Sequence, residues 1–254
     1  MKVKLISCTP DALALLLGTK NTRLKFQSDP AGWTDDVKRE HLAYMKDTIK
    51  SSWEFVDYVF EVSEVTRAFT HQYVRTRTGS FAQESQRTID ASGNGFLGLN
   101  EEHTEVNRLT FKGAAGIAFD AYSTMLGNGV PAQDARGVLP TATFTSIVAK
   151  FNLRTLHDMA KLRLCTRTQG EYQDVFRLMR AEVIRVHPWV EEHGFLEVHC
   201  VATGTCAFPR FGKTSCQIYD PRMDQSAVIA DTRRKFWSIA KQVAVPVAKG
   251  GKTM

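Results

Sequence analysis

Thirteen consecutive residues, Arg75-Thr76-Arg77-Thr78-Gly79-Ser80-Phe81-Ala82-Gln83-Glu84-Ser85-Gln86-Arg87, hold three arginines and two serines interleaved with amide side chains. Guanidinium groups this close repel one another unless anions lie between them. The basic residues are all arginine, whose planar fork matches phosphate, and hydroxyl and amide donors stand beside them. A bidentate arginine–phosphate pair contributes about 1.5–3 kcal/mol, so three or four such contacts suffice to hold a mono- or dinucleotide at micromolar strength. The same run would also serve as a solvated basic face, the commoner fate of clustered charge.

Other spacings that could do chemistry are weaker. Gly93, Gly95 and Gly98 fit the GxGxxG pattern of a dinucleotide turn, but they follow a polar stretch instead of a buried strand, and the next helical pattern begins several residues late. His193, His199, Cys200, Cys206 and Cys216 are enough ligands for zinc, yet no CxxC or HxxxH pair sets two of them on one ion, so no metal is expected. Neither a G-x-S-x-G elbow nor a phosphate-binding G-x-x-x-x-G-K loop is present.

The elements around the arginine segment follow from periodicity. Lys2 to Cys8 alternates like a strand, and Asp11 to Leu17 follows as a short helix. Gly18 to Gly32 reads as loop. Thr34 caps a helix running to about Lys50 with Val37, Leu42, Met45 and Ile49 as its stripe. Glu54 to Val62 places Val56, Tyr58, Phe60 and Val62 at a period of two, the clearest strand. From Glu64 to Arg75 the period becomes helical, and the arginine segment follows as a polar stretch. Thr104 to about Leu126 is a long helix that Gly127 and Gly129 end. A further helical turn runs from Val130 to near Pro140, and Thr141 to Val148 is either strand or connector. Asn152 to Leu164 and Gln169 to His187 are helices, the second stopping at Pro188. Periodicity fails after that, save for a basic helix over Ser226 to Val243 and a disordered tail from Lys249. The domains expected are a catalytic 1–188 and a Cys/His-containing extension, 189–254, with a basic tail.

Composition bounds the class. The 254 residues are 43% hydrophobic, 24% charged and 10% aromatic, values of a soluble globular protein. No apolar run reaches the length of a membrane span, and the start lacks a secretory h-region, so a cytoplasmic protein is expected. The net charge of +6 suits an anionic partner, and five cysteines are an odd number that favours reduced thiols.

The arginine segment resembles the R-H-R-x-x-S-x-N-x-x-S-x-R signature of flavin-dependent thymidylate synthases. Arg75, Arg77, Ser80, Ser85 and Arg87 fall on five of its seven fixed positions. Ser51-Ser52-Trp53-Glu54 resembles that family's T-P-F-E-H strand entry, and Gln72 stands three residues before the first signature arginine, as the family's glutamine does. Gly129-Val130-Pro131, Ala135-Arg136-Gly137-Val138-Leu139-Pro140 and Asn152-Leu153-Arg154-Thr155-Leu156 resemble its G-V-P, A-R-x-x-L-P and N-x-R-x-L stretches, with Arg163 eleven residues after Asn152.

The resemblance implies an α+β fold, a central and mostly antiparallel sheet with long helices packed on it, assembled as a homotetramer with shared sites. It implies FAD-dependent transfer of a one-carbon unit from methylenetetrahydrofolate to C5 of dUMP, reduced with NADPH to give dTMP. The cofactor would meet Ser51, Arg75, Thr76, Arg77, Ser80, Asn152, Arg154 and Asp158. The nucleotide would meet Gln72, Gln83, Glu84, Ser85, Gln86, Arg87, Arg136 and Arg163. Arg163 is the catalytic candidate, because a permanently protonated donor at the pyrimidine O2/N3 edge stabilises the charge that makes C5 nucleophilic. Pairing with Asp158 or Glu171 is the structural alternative for that arginine. Ser85 joins it in the site as a phosphate or base donor; no histidine base accompanies it in the motif.

Three departures stand out: Thr76 replaces the signature histidine, Ala82 the asparagine, and Phe55 the entry histidine. They leave open a related pyrimidine hydroxymethylase acting on dUMP or dCMP, in which water instead of hydride meets the adduct. A nucleic-acid-binding protein using the same basic segment is the remaining reading. It would need aromatic stacking platforms among the arginines, where Phe81 stands alone, so neither nucleic acid nor membrane is expected as a partner.

Overall fold

The computed structural model describes residues 1–22, 30–48 and 50–208. In chain order its elements are β1 (Lys2–Cys8), α1 (Ala12–Gly18), α2 (Asp35–Thr48), β2 (Asp57–Thr66), α3 (Arg67–Tyr73), β3 (Ser80–Gln83), α4 (Glu105–Gly127), α5 (Ala132–Ala135), β4 (Phe144–Asn152), α6 (Leu153–Arg163), α7 (Gly170–Val186), α8 (Trp189–Glu192) and α9 (His199–Thr203). Contacts group the chain into two bodies, one of Met1–Cys8 with Asp57–Phe151 and one of Thr9–Val56 with the chain from Asn152 onward.

The first body holds a four-stranded sheet of order β1-β2-β4-β3. β1 pairs antiparallel with β2, from Lys2 opposite Ser63 to Cys8 opposite Tyr58, and β3 pairs antiparallel with β4, from Ser80 opposite Lys150 to Gln83 opposite Ile147. The chain is therefore α+β, as expected. Tyr58, Phe60 and Val62, the alternating residues of β2, are fully buried.

Strand β2 runs on to Thr66, later than periodicity places its end. Glu64 adopts a left-handed φ of 56° there, and its carboxylate accepts the Met1 amino group at 3.1 Å and pairs with Lys2. The hydroxyl of Thr66 then accepts the Phe69 amide at 3.0 Å, so the helix expected from Glu64 starts at Arg67, directly after this cap. The stretch Arg75–Arg87, expected to be merely polar, contains β3. Thr141–Val148 resolves into a strand, with β4 beginning at Phe144.

Beneath the arginine segment lies a ring cluster: Tyr73 meets Phe69, Phe81 and Phe151 at 4.8, 5.5 and 5.4 Å between centroids. Gly79 sits on this cluster, and a Cβ there would lie 2.4 Å from the Phe151 ring. The glycine is thus required by close approach, with ring atoms where a methyl group would stand. Helix α4 is capped by Thr104, whose hydroxyl accepts the Asn107 amide at 3.4 Å, and the chain beyond it turns at Gly129, φ 82°. Tyr122 is its buried anchor, its hydroxyl accepting the Ala91 amide at 3.1 Å.

The second body packs α1, α2, α6 and α7 with the turns between them. Leu16, Leu42, Met45, Trp53 and Leu156 are buried, as are Tyr172, Val175, Phe176, Met179 and Val183 on α7, while Val186 at its end is half-buried. The break expected at Pro188, between a 1–188 domain and a 189–254 extension, follows composition, whereas residues 189–208 group by contact with this second body. Phe195 is fully buried and packs edge-on against Trp53 and Trp189 at 4.9 and 5.5 Å. Its carbonyl bonds His157 Nδ1, while Arg180 donates to the Leu196 carbonyl at 2.9 Å and pairs with Glu191 at 3.1 Å. The basic helix over 226–243, the tail from 249 and Cys216 lie outside the described residues. Among the described residues no helix is long and apolar enough to cross a membrane, and no group of His, Cys, Asp and Glu is placed to hold a metal.

Candidate active site

After α3 the backbone makes two tight turns. The amides of Arg75 and Thr76 donate to the carbonyls of Gln72 and Tyr73 at 3.2 and 3.1 Å, and Gly79 donates to Thr76 at 2.9 Å. The ring cluster fixes this turn from below, so Arg75 and Arg77 are exposed and Thr76 half-buried. Ser80 opens β3, exposed. Gln83, half-buried at the strand's end, donates from Nε2 to the Thr70 hydroxyl at 2.8 Å, and Gln72 is half-buried on α3. Ala82 is exposed on β3, opposite Val148.

The chain then leaves the sheet through Glu84, whose amide donates to the Ser146 carbonyl at 3.0 Å. The Asn94 amide reaches both the Glu84 carboxylate, at 2.7 Å, and the Phe144 carbonyl, at 3.1 Å. Ser85 Oγ accepts the Arg87 amide at 3.3 Å and the Ser85 carbonyl accepts Ile89 at 3.1 Å, a turn that leaves Ser85 and Arg87 exposed. Gln86 is 8% exposed, and its Nε2 has no acceptor among the described residues. A buried amide donor without an acceptor costs about 1–3 kcal/mol unless a ligand or water takes it.

Arg67, which lies outside every motif of the sequence, also reaches this turn. Its Nη1 donates to the Glu84 carbonyl at 3.4 Å. Burial and, next, the nearby Arg136 guanidinium hold Arg67 below the usual arginine range, with Glu84 opposing both. Arg136 follows α5 and donates from Nε to the Gln133 carbonyl at 3.1 Å. Arg67 opens α3, the helix that leads into the segment, a position that the helical period from Glu64 hides.

Thus Gln72, Arg75, Thr76, Arg77, Ser80, Gln83, Glu84, Ser85, Gln86, Arg87 and Arg136 lie in the first body. Among the described residues none of Arg75, Arg77 and Arg87 pairs with a carboxylate. Exposed guanidiniums without carboxylates, in one segment with a buried amide donor, are a donor set suited to phosphate groups, and the residues present fit a phosphate-bearing cofactor and nucleotide.

Ser51, Asn152, Arg154, Asp158 and Arg163 lie in the second body. Ser51 is exposed in the turn Lys50–Phe55, which ends at Phe55, 60% exposed. Asn152 Oδ1 caps α6 by accepting the Thr155 amide at 2.8 Å. Arg154 pairs with Glu54, and Asp158 accepts from Lys161 at 3.4 Å. Arg163 is half-buried with its guanidinium carbon 4.2 Å from the centroid of the Tyr172 ring, so an aromatic face is its described contact.

Residues 4–189 match the family model of the thymidylate synthase complementing protein. The flavin-dependent thymidylate synthase of Geobacter sulfurreducens is 34% identical over 200 residues, 73% of this chain and 82% of that protein. The enzyme of the same name from Saccharolobus solfataricus is 32% identical over 200 residues, 74% of each. Among solved structures, the UMP/dUMP methylase PolB from Streptomyces cacaoi, bound with 5-Br dUMP, is similar with a TM-score of 0.66 at 20% identity, covering 78% of this chain and 97% of that one. The flavin-dependent thymidylate synthase of Helicobacter pylori, complexed with FAD and dUMP, has a TM-score of 0.61 at 18% identity, covering 75% and 97%.

Proposed function

This chain belongs to the flavin-dependent thymidylate synthase family, and on that premise we propose that it transfers a one-carbon unit from methylenetetrahydrofolate to C5 of dUMP and reduces it, giving dTMP with NADPH as reductant. FAD, when bound, supplies the hydride for that reduction. The observation that carries the reading is the Arg75–Arg87 segment, which among the described residues holds three exposed guanidiniums free of carboxylates and a buried Gln86 amide nitrogen without an acceptor.

The residues divide by role. Arg75, Thr76, Arg77 and Ser80 hold the cofactor, with Ser51, Asn152, Arg154 and Asp158; the Asn152 amide nitrogen and the second fork arm of Arg154 are the groups left for it once the cap and the Glu54 pair are made. Gln72, Gln83, Glu84, Ser85, Gln86, Arg87 and Arg136 orient the nucleotide. Arg163 donates to the pyrimidine O2/N3 edge and stabilises the negative charge that develops as C5 attacks. The Tyr172 face against which it lies holds the fork in one plane without competing for its donors. Ser85 serves as a hydrogen-bond donor, since the Arg87 amide that its oxygen accepts leaves the hydroxyl proton unused.

The homotetramer belongs to the same proposal. Val106, Leu109 and Ile117 are 60–71% exposed at helical spacing on α4, an apolar stripe that a second copy would cover. The cytoplasmic location expected from the sequence is part of it too. Against a nucleic-acid-binding role stands Phe81: its ring is engaged edge-on by Tyr73 and Phe151, both at 5.5 Å, so the segment's one aromatic is used within the fold. The purified protein is expected to carry FAD that NADPH bleaches and that methylenetetrahydrofolate plus dUMP reoxidises. Protein that neither retains nor binds FAD would overturn the reading.

A further inference from the structure

Of the five N–H donors of the Arg67 guanidinium, one has a described acceptor among the described residues, the Glu84 carbonyl at the long distance of 3.4 Å. The backbone of Arg67 is fixed independently, its amide donating to the Thr143 carbonyl at 3.0 Å, and Ala68 donates to Thr141 at 2.9 Å. The side chain is therefore aimed by the backbone and scarcely satisfied by the protein. Arg136 lies near enough to repel it. Glu84 is the local counter-charge, and its carboxylate is shared with the Asn94 amide at 2.7 Å. Two guanidiniums against one carboxylate leave net positive charge, and Gln86, two residues on from Glu84, has a buried Nε2 without a partner among the described residues. A half-buried pair of cations is unfavourable by itself and becomes favourable when a dianion lies between the forks.

We propose that Arg67 joins Arg136 as a second guanidinium for the phosphate of the nucleotide, with the Glu84 carbonyl contact holding Arg67 at the turn that carries Ser85, Gln86 and Arg87. The inference rests on the nucleotide reading of that turn and adds to it a residue outside the signature. Arg67 acts on the phosphate and makes no contact with the reacting base carbon, so it governs affinity for the phosphorylated substrate and leaves recognition of the bare nucleoside unaltered.

The test titrates dUMP and deoxyuridine into FAD-loaded, full-length protein and follows binding by calorimetry, for wild type, Arg67→Met and Arg67→Lys. Wild type is expected to bind dUMP much more tightly than deoxyuridine. Arg67→Met is expected to lose about 10- to 100-fold in dUMP affinity with deoxyuridine unchanged, the value of one charge-assisted contact. Arg67→Lys, which keeps the charge and loses the fork, is expected to fall between them and supplies the comparison if the methionine variant does not fold. Unchanged dUMP affinity in the variants overturns the proposal, and so does an equal loss for dUMP and deoxyuridine, which would make Arg67 a support for the turn alone. Wild type that binds FAD but no dUMP overturns the underlying nucleotide reading instead.

Discussion

The guanidinium of Arg163, the last residue of α6, lies 4.2 Å from the centroid of the buried ring of Tyr172, in the first turn of α7. Because the ring face attracts the cation without occupying its hydrogen-bond donors, the fork remains available to a planar acceptor. Arg163→Ala is therefore expected to retain FAD and lose about 100- to 1,000-fold in kcat, as when one preorganised donor to developing negative charge is removed. Arg163→Ala with unchanged turnover ends the catalytic assignment. Tyr172→Phe, which keeps the face, is expected to stay within a few-fold of wild type.

Arg75→Ala and Arg77→Ala act on the other ligand. Both side chains are exposed above a turn fixed by the ring cluster, so the fold should tolerate their loss. Each is expected to weaken FAD about 10-fold or more, read as the flavin-to-protein absorbance ratio after gel filtration. Full flavin occupancy in both variants would return these arginines to the solvated basic face.

Gly79→Ala probes the cluster itself. Its Cβ would stand 2.4 Å from Phe151 and 2.9 Å from Phe81, a clash with packed rings and not with a flexible chain end. Destabilisation of about 1–3 kcal/mol is expected, in the range for overpacking, with partial recovery in Gly79→Ala/Phe151→Leu. Thermal unfolding measures both, and an unchanged midpoint for the single variant would show that the rings yield freely.

Some of this was legible in the sequence and some was not, for identifiable reasons. β2 announced itself because Tyr58, Phe60 and Val62 alternate into a core. The glycine turn beyond α4 follows from residue type alone. β3 stayed hidden because its four residues, Ser80–Gln83, sit inside a polar run and its one aromatic turns to Tyr73 and Phe151. Arg67 is not legible because the helical period begins at Glu64 and places it mid-helix, whereas it stands at the strand-to-helix junction. The burial of Phe195 is not legible after Pro188, because it comes beside two short helices, which have no period to read, and from partners as distant in sequence as Trp53.

His157 ties that stretch to α6 and gives it a pH signature. Burial first, against the favourable bond to the Phe195 carbonyl, lowers its pKa from 6.5 to about 4. The unfolded chain then binds the proton more readily than the folded one between about pH 4 and 6.5, so stability falls as pH drops through that window and levels off below it. The full effect is about 3 kcal/mol. His157→Gln should flatten this part of the stability-versus-pH curve, and Phe195→Ala should cost about 3–5 kcal/mol. Urea midpoints across pH 4–7 decide it; a wild-type curve flat over that window contradicts the buried, neutral histidine.

The central claim is the reaction, and product mass tests it most directly. FAD-loaded protein incubated with dUMP, methylenetetrahydrofolate and NADPH should yield a nucleotide with the mass of dTMP, in amounts that depend on all three additions. A product carrying a hydroxymethyl group would instead assign the chain to the hydroxymethylase reading that Thr76, Ala82 and Phe55 leave open. No modified nucleotide from protein shown to hold FAD and bind dUMP would contradict the account outright.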